Sequence, residues 1–162
     1  MKRPPQPNVL FVNVGWAERY DGSHTIFGNH GDIKQQSGNP SKLGEGKAFL
    51  KDSTGRVRCV VGMGRISPGS AIDVVFVARN PNTKQYQIVG IYHQPSFFSS
   101  RWTNPKGRQE IWTDASTRDY IELVDNQRPN VEWPRGRSIR RWVRRRGTIY
   151  YPALFNKYVA LI

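Results

Sequence analysis

The chain has 162 residues, and its 25 Lys and Arg against 12 Asp and Glu give a formal net charge of +13. This length is sufficient for one domain with a hydrophobic core, and aromatic residues at 12% exclude a disordered chain of low hydrophobicity. The single cysteine, Cys59, excludes an intrachain disulfide and any zinc site built on several cysteines. The charge favours a polyanionic partner, nucleic acid before an anionic membrane, and a solvated basic protein is the plain alternative.

The N-terminal residues 1–7 are rich in proline and predict a loose arm. No apolar run in the sequence is long enough for a membrane-spanning helix, and no signal peptide is recognisable. We therefore expect no membrane partner and a cytoplasmic location, with which the lone thiol is consistent.

Strands are predicted for short apolar runs bounded by turn residues: Val9–Val14, Ala48–Leu50, Arg56–Met63, Ile72–Ala78 and Gln85–Tyr92. Turns at Asp52–Gly55 and Asn80–Thr83 join the last four, so residues 47–92 are predicted to form an antiparallel meander. The glycine-rich residues 15–46 predict a long irregular region with a short helix near Asp32–Gln36.

The second half of the chain has weaker patterns. Residues 95–107 are predicted to be irregular, Thr117–Val124 to form a short helix, and residues 126–134 to be extended. A basic helix is predicted from Ser138 to Gly147. A last helix is predicted after Pro152, with one apolar side made by Leu154, Phe155, Tyr158 and Leu161.

These elements predict a single α+β domain over residues 1–162, with 134–162 as a basic C-terminal helical segment. The expected architecture is a small twisted antiparallel sheet or partly closed barrel with short flanking helices.

The basic segment carries the candidate phosphate-binding residues, which are Arg135, Arg137, Arg140, Arg141, Arg144, Arg145 and Arg146. On a helix, Ile139, Trp142 and Val143 would form one apolar stripe facing the core, with the arginines outside. A guanidinium group meets phosphate through two parallel hydrogen bonds, so we expect this segment to contact a nucleic-acid backbone. A solvated basic face or a localisation signal is the alternative.

Sequence selectivity requires groups that contact bases, because phosphate contacts carry little sequence information. Aromatic side chains in polar, irregular surroundings are the candidates: Trp16, Tyr20, Tyr92, Phe97, Phe98, Trp102 and Trp112, with a core position favoured most for Phe97, Phe98 and Trp112. Trp16 directly follows the first predicted strand and Gly15, where a ring can line a pocket beside a sheet. A core position is the alternative for each ring, whereas Trp133 and Trp142 are assigned to packing.

An ordered series of short segments resembles the EVE/YTH-like branch of the PUA superfamily, as found in modification-dependent restriction systems. The segments are Phe11–Trp16, Tyr20–Gly22, Gly28–Gly31, Asp73–Pro81 and Ile88–Tyr92. The resemblance covers roughly residues 9–95. The part of the chain after Asn126 lies outside it, and dense arginine is not a feature of that family.

The resemblance implies a PUA-like pseudo-barrel that acts as a non-catalytic reader and holds a base, flipped from DNA or unpaired in RNA, in an aromatic pocket. Trp16 would be a pocket wall with Tyr20, Tyr92 and Trp102 as companions, and Asn13 and Asp32 would contact the base edge. DNA is the favoured partner and RNA the second. The base is expected to be modified, as 5-methylcytosine, 5-hydroxymethylcytosine or N6-methyladenine, and the domain would serve a nuclease or motor domain or subunit.

Two other functions stay open. Asp32 and the Glu45-Gly46-Lys47 segment have the spacing of a PD-(D/E)xK nuclease, although that segment lies in a glycine-rich loop and not in an apolar strand. A PUA-type RNA-binding domain without preference for a modification is the other. The three histidines are scattered, so we expect no metal site, no cofactor and no catalysis.

Overall fold

The computed structural model describes residues 6–27, 44–63, 66, 71–103, 109–116, 119–136 and 139–162. These residues form strands β1 (Asn8–Asn13), β2 (Val57–Met63), β3 (Ile72–Arg79), β4 (Tyr86–Tyr92), β5 (Ser96–Thr103), β6 (Gln109–Ala115), β7 (Tyr120–Glu122), β8 (Asn130–Val131), β9 (Arg140–Arg145) and β10 (Thr148–Ile149). They also form the α-helix α1 (Pro152–Val159) and two 3-10 turns, Gly44–Lys47 and Asp125–Gln127. The described chain is therefore mostly β-strand with one short helix, compatible with a small α+β fold.

The strands form two sheets. The large sheet has the order β10-β9-β1-β3-β4-β7, with β8 also paired to β4, and the small sheet has the order β2-β6-β5. Strands β1 and β3 are parallel, with Val9 opposite Asp73 and Asn13 opposite Val77, whereas the other pairs are antiparallel. A parallel pair requires a long connection, and here the chain between β1 and β3 passes through β2 of the other sheet.

The centre of the large sheet is buried on both faces, which explains why seven consecutive residues of β3 are buried without alternation and why all of them but Asp73 are apolar. One face packs on the small sheet, through a cluster that includes Val74, Phe76, Val57, Cys59 and Ile111. The other face packs on α1, through a cluster that includes Val75, Val77, Leu154, Phe155 and Tyr158. The domain thus has three layers, in the order small sheet, large sheet, helix.

The locally encoded elements are confirmed. Strand β1 and the β3–β4 hairpin lie where the apolar runs predict them, and the Asn80 side chain accepts the Asn82 amide in the turn. Helix α1 begins at Pro152, and its buried residues are Leu154, Phe155 and Tyr158, with Leu161 packed against the same cluster.

The predicted basic helix over 138–147 is wrong. Arg140–Arg145 is a strand paired with β1, and Arg146 and Gly147 turn the chain into β10 with φ angles of 50° and 82°. Two consecutive left-handed residues are typical of a type I′ hairpin turn. As a strand, residues 140–145 form backbone hydrogen bonds with the edge of β1. A helix over the same residues would leave that edge unpaired. We call residues 140–149 the arginine hairpin.

Other predicted elements are also wrong. Ala48 and Phe49 follow a 3-10 turn and enter the core, and β2 pairs with β6, so residues 47–92 are not one meander. Strand β5 lies within the predicted irregular region 95–107, and β7 lies within the predicted helix Thr117–Val124. Strand β5 is stabilised by its backbone hydrogen bonds to β6, and this pairing cannot be recognised from either segment alone.

Residues 1–5, most of the predicted arm, and the predicted helix Asp32–Gln36 lie outside the described residues. Among the helices that the structure describes, none is long and apolar enough to span a membrane.

Candidate nucleic-acid interface

The arginines of β9 are divided between the two faces of the large sheet, because successive side chains of a strand point in opposite directions. Arg140 and Trp142 lie opposite Val12 and Leu10, on the face that packs on the small sheet. Arg141 lies opposite Phe11, on the face covered by α1. A bulge opposite Val9 and Leu10 brings Arg144 to the helix side as well. The expectation that all the arginines share one outer surface is therefore corrected.

The helix-side arginines hold neighbouring segments in place. Arg141 Nη1 donates to the Tyr151 hydroxyl at 3.1 Å, and its Nη2 donates to the carbonyl oxygen of Arg135 at 2.7 Å. Arg144 Nη1 donates to Gln6 Oε1 at 2.9 Å, and its guanidinium carbon lies 5.8 Å from the centre of the Phe155 ring. These contacts fix the strand against the segments before and after it.

The remaining basic side chains of the hairpin lie on the other face and at the turn. The guanidinium carbon of Arg145 lies 5.0 Å from the centre of the Trp142 ring, a cation–π contact. Arg146 is exposed, and its amide donates to Asn8 Oδ1 at 2.8 Å. Partial burial lowers the pKa of the Arg140 guanidinium, which stays charged at neutral pH. The turn of the hairpin therefore carries two cations, Arg145 and Arg146, and Arg140 lies at the other end of β9.

Two arginines elsewhere in the fold form bidentate pairs with carboxylates. Arg19 binds both oxygens of Glu122, and Arg56 binds both oxygens of Asp114. These hydrogen bonds, together with the negative charge of the two carboxylates, raise the pKa of each guanidinium. Both contacts are the bidentate fork that a guanidinium makes with a planar anion.

The arginine hairpin has a different environment. In the described part of the chain, the partners of Arg141, Arg144 and Arg145 are neutral oxygens and aromatic rings. The sequence has no acidic residue after Glu132 and eight basic ones, so positive charge accumulates here. Concentrated charge of one sign raises the local concentration of an anionic partner.

Two adjoining cavities open beside the hairpin. The smaller, of about 330 Å³, is lined by Arg140, Arg141, Trp142, Arg145, Tyr150 and Tyr151. The larger, of about 640 Å³, is lined mainly by the chain around Tyr86, by residues 131–135 and by residues 150–154. Tyr150 and Tyr151 line both cavities, which are therefore neighbours, and we call the two together the cleft.

Trp16 lies at the end of β1 but is only partly open. Its backbone exchanges two hydrogen bonds with Phe27, and its ring packs against the core cluster beneath the small sheet. The guanidinium carbon of Arg128 lies 4.6 Å from the ring centre, so this cation covers one ring face. Arg128 is itself buried and donates to the carbonyl oxygens of Ala17, Glu18 and Leu123. A base could stack only on the other face of Trp16.

Tyr20 and Tyr92, the predicted companions of Trp16, are fully buried core residues. The Tyr20 hydroxyl donates to the Gly15 carbonyl at 2.7 Å, and the Tyr92 hydroxyl donates to the Ala48 carbonyl. Burial raises the pKa of Tyr92 well above its ordinary value. Neither ring lines an open pocket in this structure, because each is enclosed by the aromatic core.

The other predicted site residues are only partly visible. Asn13 is half-buried at the end of β1, and its amide donates to the Ile139 carbonyl at 2.7 Å. Trp102 lies in β5, and its side chain is not described. Asp32 and Arg137 lie outside the described residues.

A buried carboxylate that the sequence did not single out anchors α1 to the large sheet. Asp73 is fully buried and accepts hydrogen bonds from the Tyr158 hydroxyl at 2.5 Å and from the Gln94 amide at 2.9 Å. The His93 Nδ1 atom lies 2.9 Å from the same carboxylate. Burial and the hydrogen bond to Asp73 raise the pKa of Tyr158. The polar groups satisfy one another, which a buried carboxylate requires.

The residues of the nuclease alternative do not form an apolar strand. Glu45 lies in the 3-10 turn Gly44–Lys47, as its glycine-rich surroundings predict. Within the described ranges, no group of three or more His, Cys, Asp and Glu side chains could hold a metal ion.

Comparisons with protein-family models, with curated proteins and with solved structures find no match. Function is therefore inferred from the geometry and charge of the chain itself, together with the resemblance of its short segments.

Proposed function

We propose that this domain is a non-catalytic nucleic-acid-binding reader. The arginine hairpin would bind the phosphate backbone, and a pocket beside Trp16 would hold a base, expected to be modified. The observation that carries the proposal is the concentration of arginines whose described partners are uncharged, at one edge of the large sheet and beyond the last acidic residue of the sequence.

Phosphate binding is favoured by the kind of cation and by its support. Each guanidinium can give two parallel hydrogen bonds to a phosphate, and binding releases counterions from the nucleic acid. Strand β9 is held between β1 and β10, so its side chains start from fixed backbone positions. Hydrogen bonds from Arg141 and Arg144 to neighbouring segments further reduce the freedom that binding would remove.

The reader part of the proposal is supported by the position of Trp16 and by the EVE/YTH-like resemblance. Trp16 follows the end of β1, the strand next to β9, and the Asn13 amide is bonded to the carbonyl that precedes Arg140. A base stacked on Trp16 would therefore lie at the same end of the sheet as Arg140. Stacking combined with hydrogen bonds to the base edge is how a flipped or unpaired base is held.

We propose DNA before RNA as the partner, and a nuclease or motor domain as the protein that this reader would serve in the cytoplasm. A PUA-like pseudo-barrel is the proposed description of the fold. The strand segments that carry the resemblance lie in β1, β3 and β4, which are adjacent in the large sheet.

The phosphate-binding part is tested by neutralising the exposed end of the hairpin. In the variant that combines Arg145→Gln with Arg146→Gln, the described hydrogen bonds of the turn remain, because they are made by the backbone. We expect binding to a labelled oligonucleotide to weaken by about tenfold or more at low salt. The slope of log K against log salt should become shallower by about 0.7 to 0.9 for each phosphate that the variant no longer neutralises.

A matched control removes the same charge elsewhere. Lys51→Gln combined with Arg58→Gln neutralises two exposed cations beside the small sheet, where Arg58 already faces Asp52 and Asp114. We expect affinity within about twofold of the wild type, since screened distant charges contribute little. Equal weakening in the two variants would contradict the assignment to the hairpin.

The reader part is tested with matched oligonucleotides, unmodified and carrying each candidate modified base. Tighter binding to one modified oligonucleotide is the expected result. Equal affinity for all of them would remove the modified-base part of the proposal and leave a basic nucleic-acid-binding domain.

A further inference from the structure

We infer that the cleft beside the arginine hairpin is a second base-binding site, which stacks unpaired bases of a single-stranded nucleic acid. This inference rests on the proposed function and adds a substrate class and a location to it. It concerns Tyr150, Tyr86 and Trp133, which the sequence did not single out for base contact.

Cations and aromatic rings line both parts of the cleft. Arg140 and Arg145 line its smaller part, and Tyr86 and Trp133 line its larger part. Both parts fall within the volumes of roughly 300 to 1,000 Å³ that ligand pockets have. Tyr150, which lies between them, is thus a ring within a cleft that also contains cations.

Tyr86 and Trp133 are held by mutual stacking, whereas Tyr150 is fixed through its backbone and its side chain is open to solvent. Tyr150 follows β10, its amide donates to the Val143 carbonyl at 2.9 Å, and its side chain is 55% exposed. Tyr86 and Trp133 stack with ring centres 6.0 Å apart and an angle of 25° between their planes. The Tyr151 hydroxyl accepts from Arg141. A pre-organised aromatic surface of this kind loses little entropy when a base stacks on it.

The combination favours one kind of polyanion. In a duplex the base faces are covered by neighbouring bases, so aromatic rings of a protein add little binding energy. In an unpaired strand the base faces are accessible for stacking. Aromatic platforms beside a basic groove are the usual arrangement for single-stranded nucleic acid.

Glu132 provides a hydrogen-bond acceptor in the larger part of the cleft, where Lys84 and Arg135 also line the wall. A strand whose phosphates contact the hairpin arginines could direct its bases toward Trp133 and this carboxylate. A carboxylate in that position can accept a hydrogen bond from an exocyclic amino group of a base.

The test is Tyr150→Ala, measured by fluorescence anisotropy with a labelled single strand and with the matched duplex. Removal of one stacking ring is expected to weaken single-strand binding about tenfold and duplex binding less than about twofold. The salt slope should not change, because the phosphate-binding arginines are intact. Tyr150→Phe keeps the ring and should bind like the wild type.

The matched control is Phe98→Ala, which removes a ring that is 42% exposed on the small sheet, away from the cleft. It should bind the single strand like the wild type. Unchanged single-strand binding in Tyr150→Ala, an equal weakening for duplex, or the same weakening in Tyr150→Phe would overturn the inference.

The same measurements separate this inference from the proposed function. If Arg145→Gln with Arg146→Gln loses binding and Tyr150→Ala does not, the hairpin binds phosphate and the cleft is not a base site. If the wild type shows no salt-sensitive binding to either oligonucleotide, the proposed function fails and the inference fails with it.

Discussion

Phe49 is the centre of a cluster of edge-to-face aromatic pairs that includes Tyr20, Phe76 and Tyr92, with ring centres 5.4 to 6.3 Å apart. It occupies the space beside Gly90, where an added Cβ would lie 2.1 Å from the Phe49 ring. Packing around Phe49, which is distant in sequence, therefore makes Tyr20 and Tyr92 core residues and not pocket walls. Their type and spacing predicted aromatic rings near β1 and β4, but spacing alone cannot distinguish a pocket wall from a core residue.

Trp16 remains the predicted base-contacting residue near the end of β1, and its substitution tests that role. Trp16→Ala should lose the preference for a modified base while retaining salt-sensitive general binding, because the arginine hairpin is unchanged. Binding of modified and unmodified oligonucleotides by the variant, measured side by side, gives the ratio of affinities.

A conservative variant controls for the fold. Trp16→Phe keeps a ring beneath the Arg128 guanidinium and should keep part of the preference. If Trp16→Ala discriminates as well as the wild type does, the pocket lies elsewhere.

Among the elements, β9 shows why local pattern was insufficient. Ile139, Trp142 and Val143 have helical spacing, yet Ile, Trp and Val are also the residues that favour strands. Gly147 was predicted to end a helix, and a glycine with positive φ serves equally well at a helix end or in a hairpin turn. Pairing with the edge of β1, which is distant in sequence, favours the strand over the helix.

Elements with short-range signals could be predicted. The β3–β4 hairpin has its turn residues between two apolar runs, and α1 has a proline in its first turn and an apolar side. Strands β5, β6 and β7 have mixed polar sequences, and their stability depends on partners that only the fold provides. The same dependence hid the cleft, because Trp133 and Tyr150 approach each other only after β9 and β10 pair.

The turn of the arginine hairpin can be tested directly. Gly147 has φ of 82°, and a Cβ there would meet no heavy atom within 4 Å, so substitution has a backbone cost alone. Gly147→Ala should lower the free energy of unfolding by about 1 to 2 kcal/mol, the cost of a left-handed conformation for an L-residue. Chemical denaturation measures this change.

The control at the same position is Gly147→Asn, because asparagine tolerates the left-handed region better than alanine does. It should be destabilised less than Gly147→Ala. Equal stability of Gly147→Ala and the wild type would contradict the hairpin turn and would favour another conformation for residues 146–147.

At the scale of the whole molecule, acidic and basic side chains are distributed unevenly over the fold. Carboxylates on β6 and β7 pair with arginines from β2 and from the segment after β1. The opposite edge of the large sheet has the arginine hairpin, beyond the last acidic residue of the sequence. The excess of basic residues was therefore sufficient to predict an anionic partner, whereas its placement on a hairpin beside an aromatic cleft required the fold.

The most direct test of this account is the salt dependence of binding by the unmodified chain. A labelled single strand is titrated with the protein at several salt concentrations between about 50 and 200 mM. We predict that log K falls linearly with log salt, with a slope of about −3, as expected for roughly four phosphates neutralised on a single strand. A slope near zero, or no binding at the lowest salt, would contradict the claim that the arginine hairpin binds a nucleic-acid backbone.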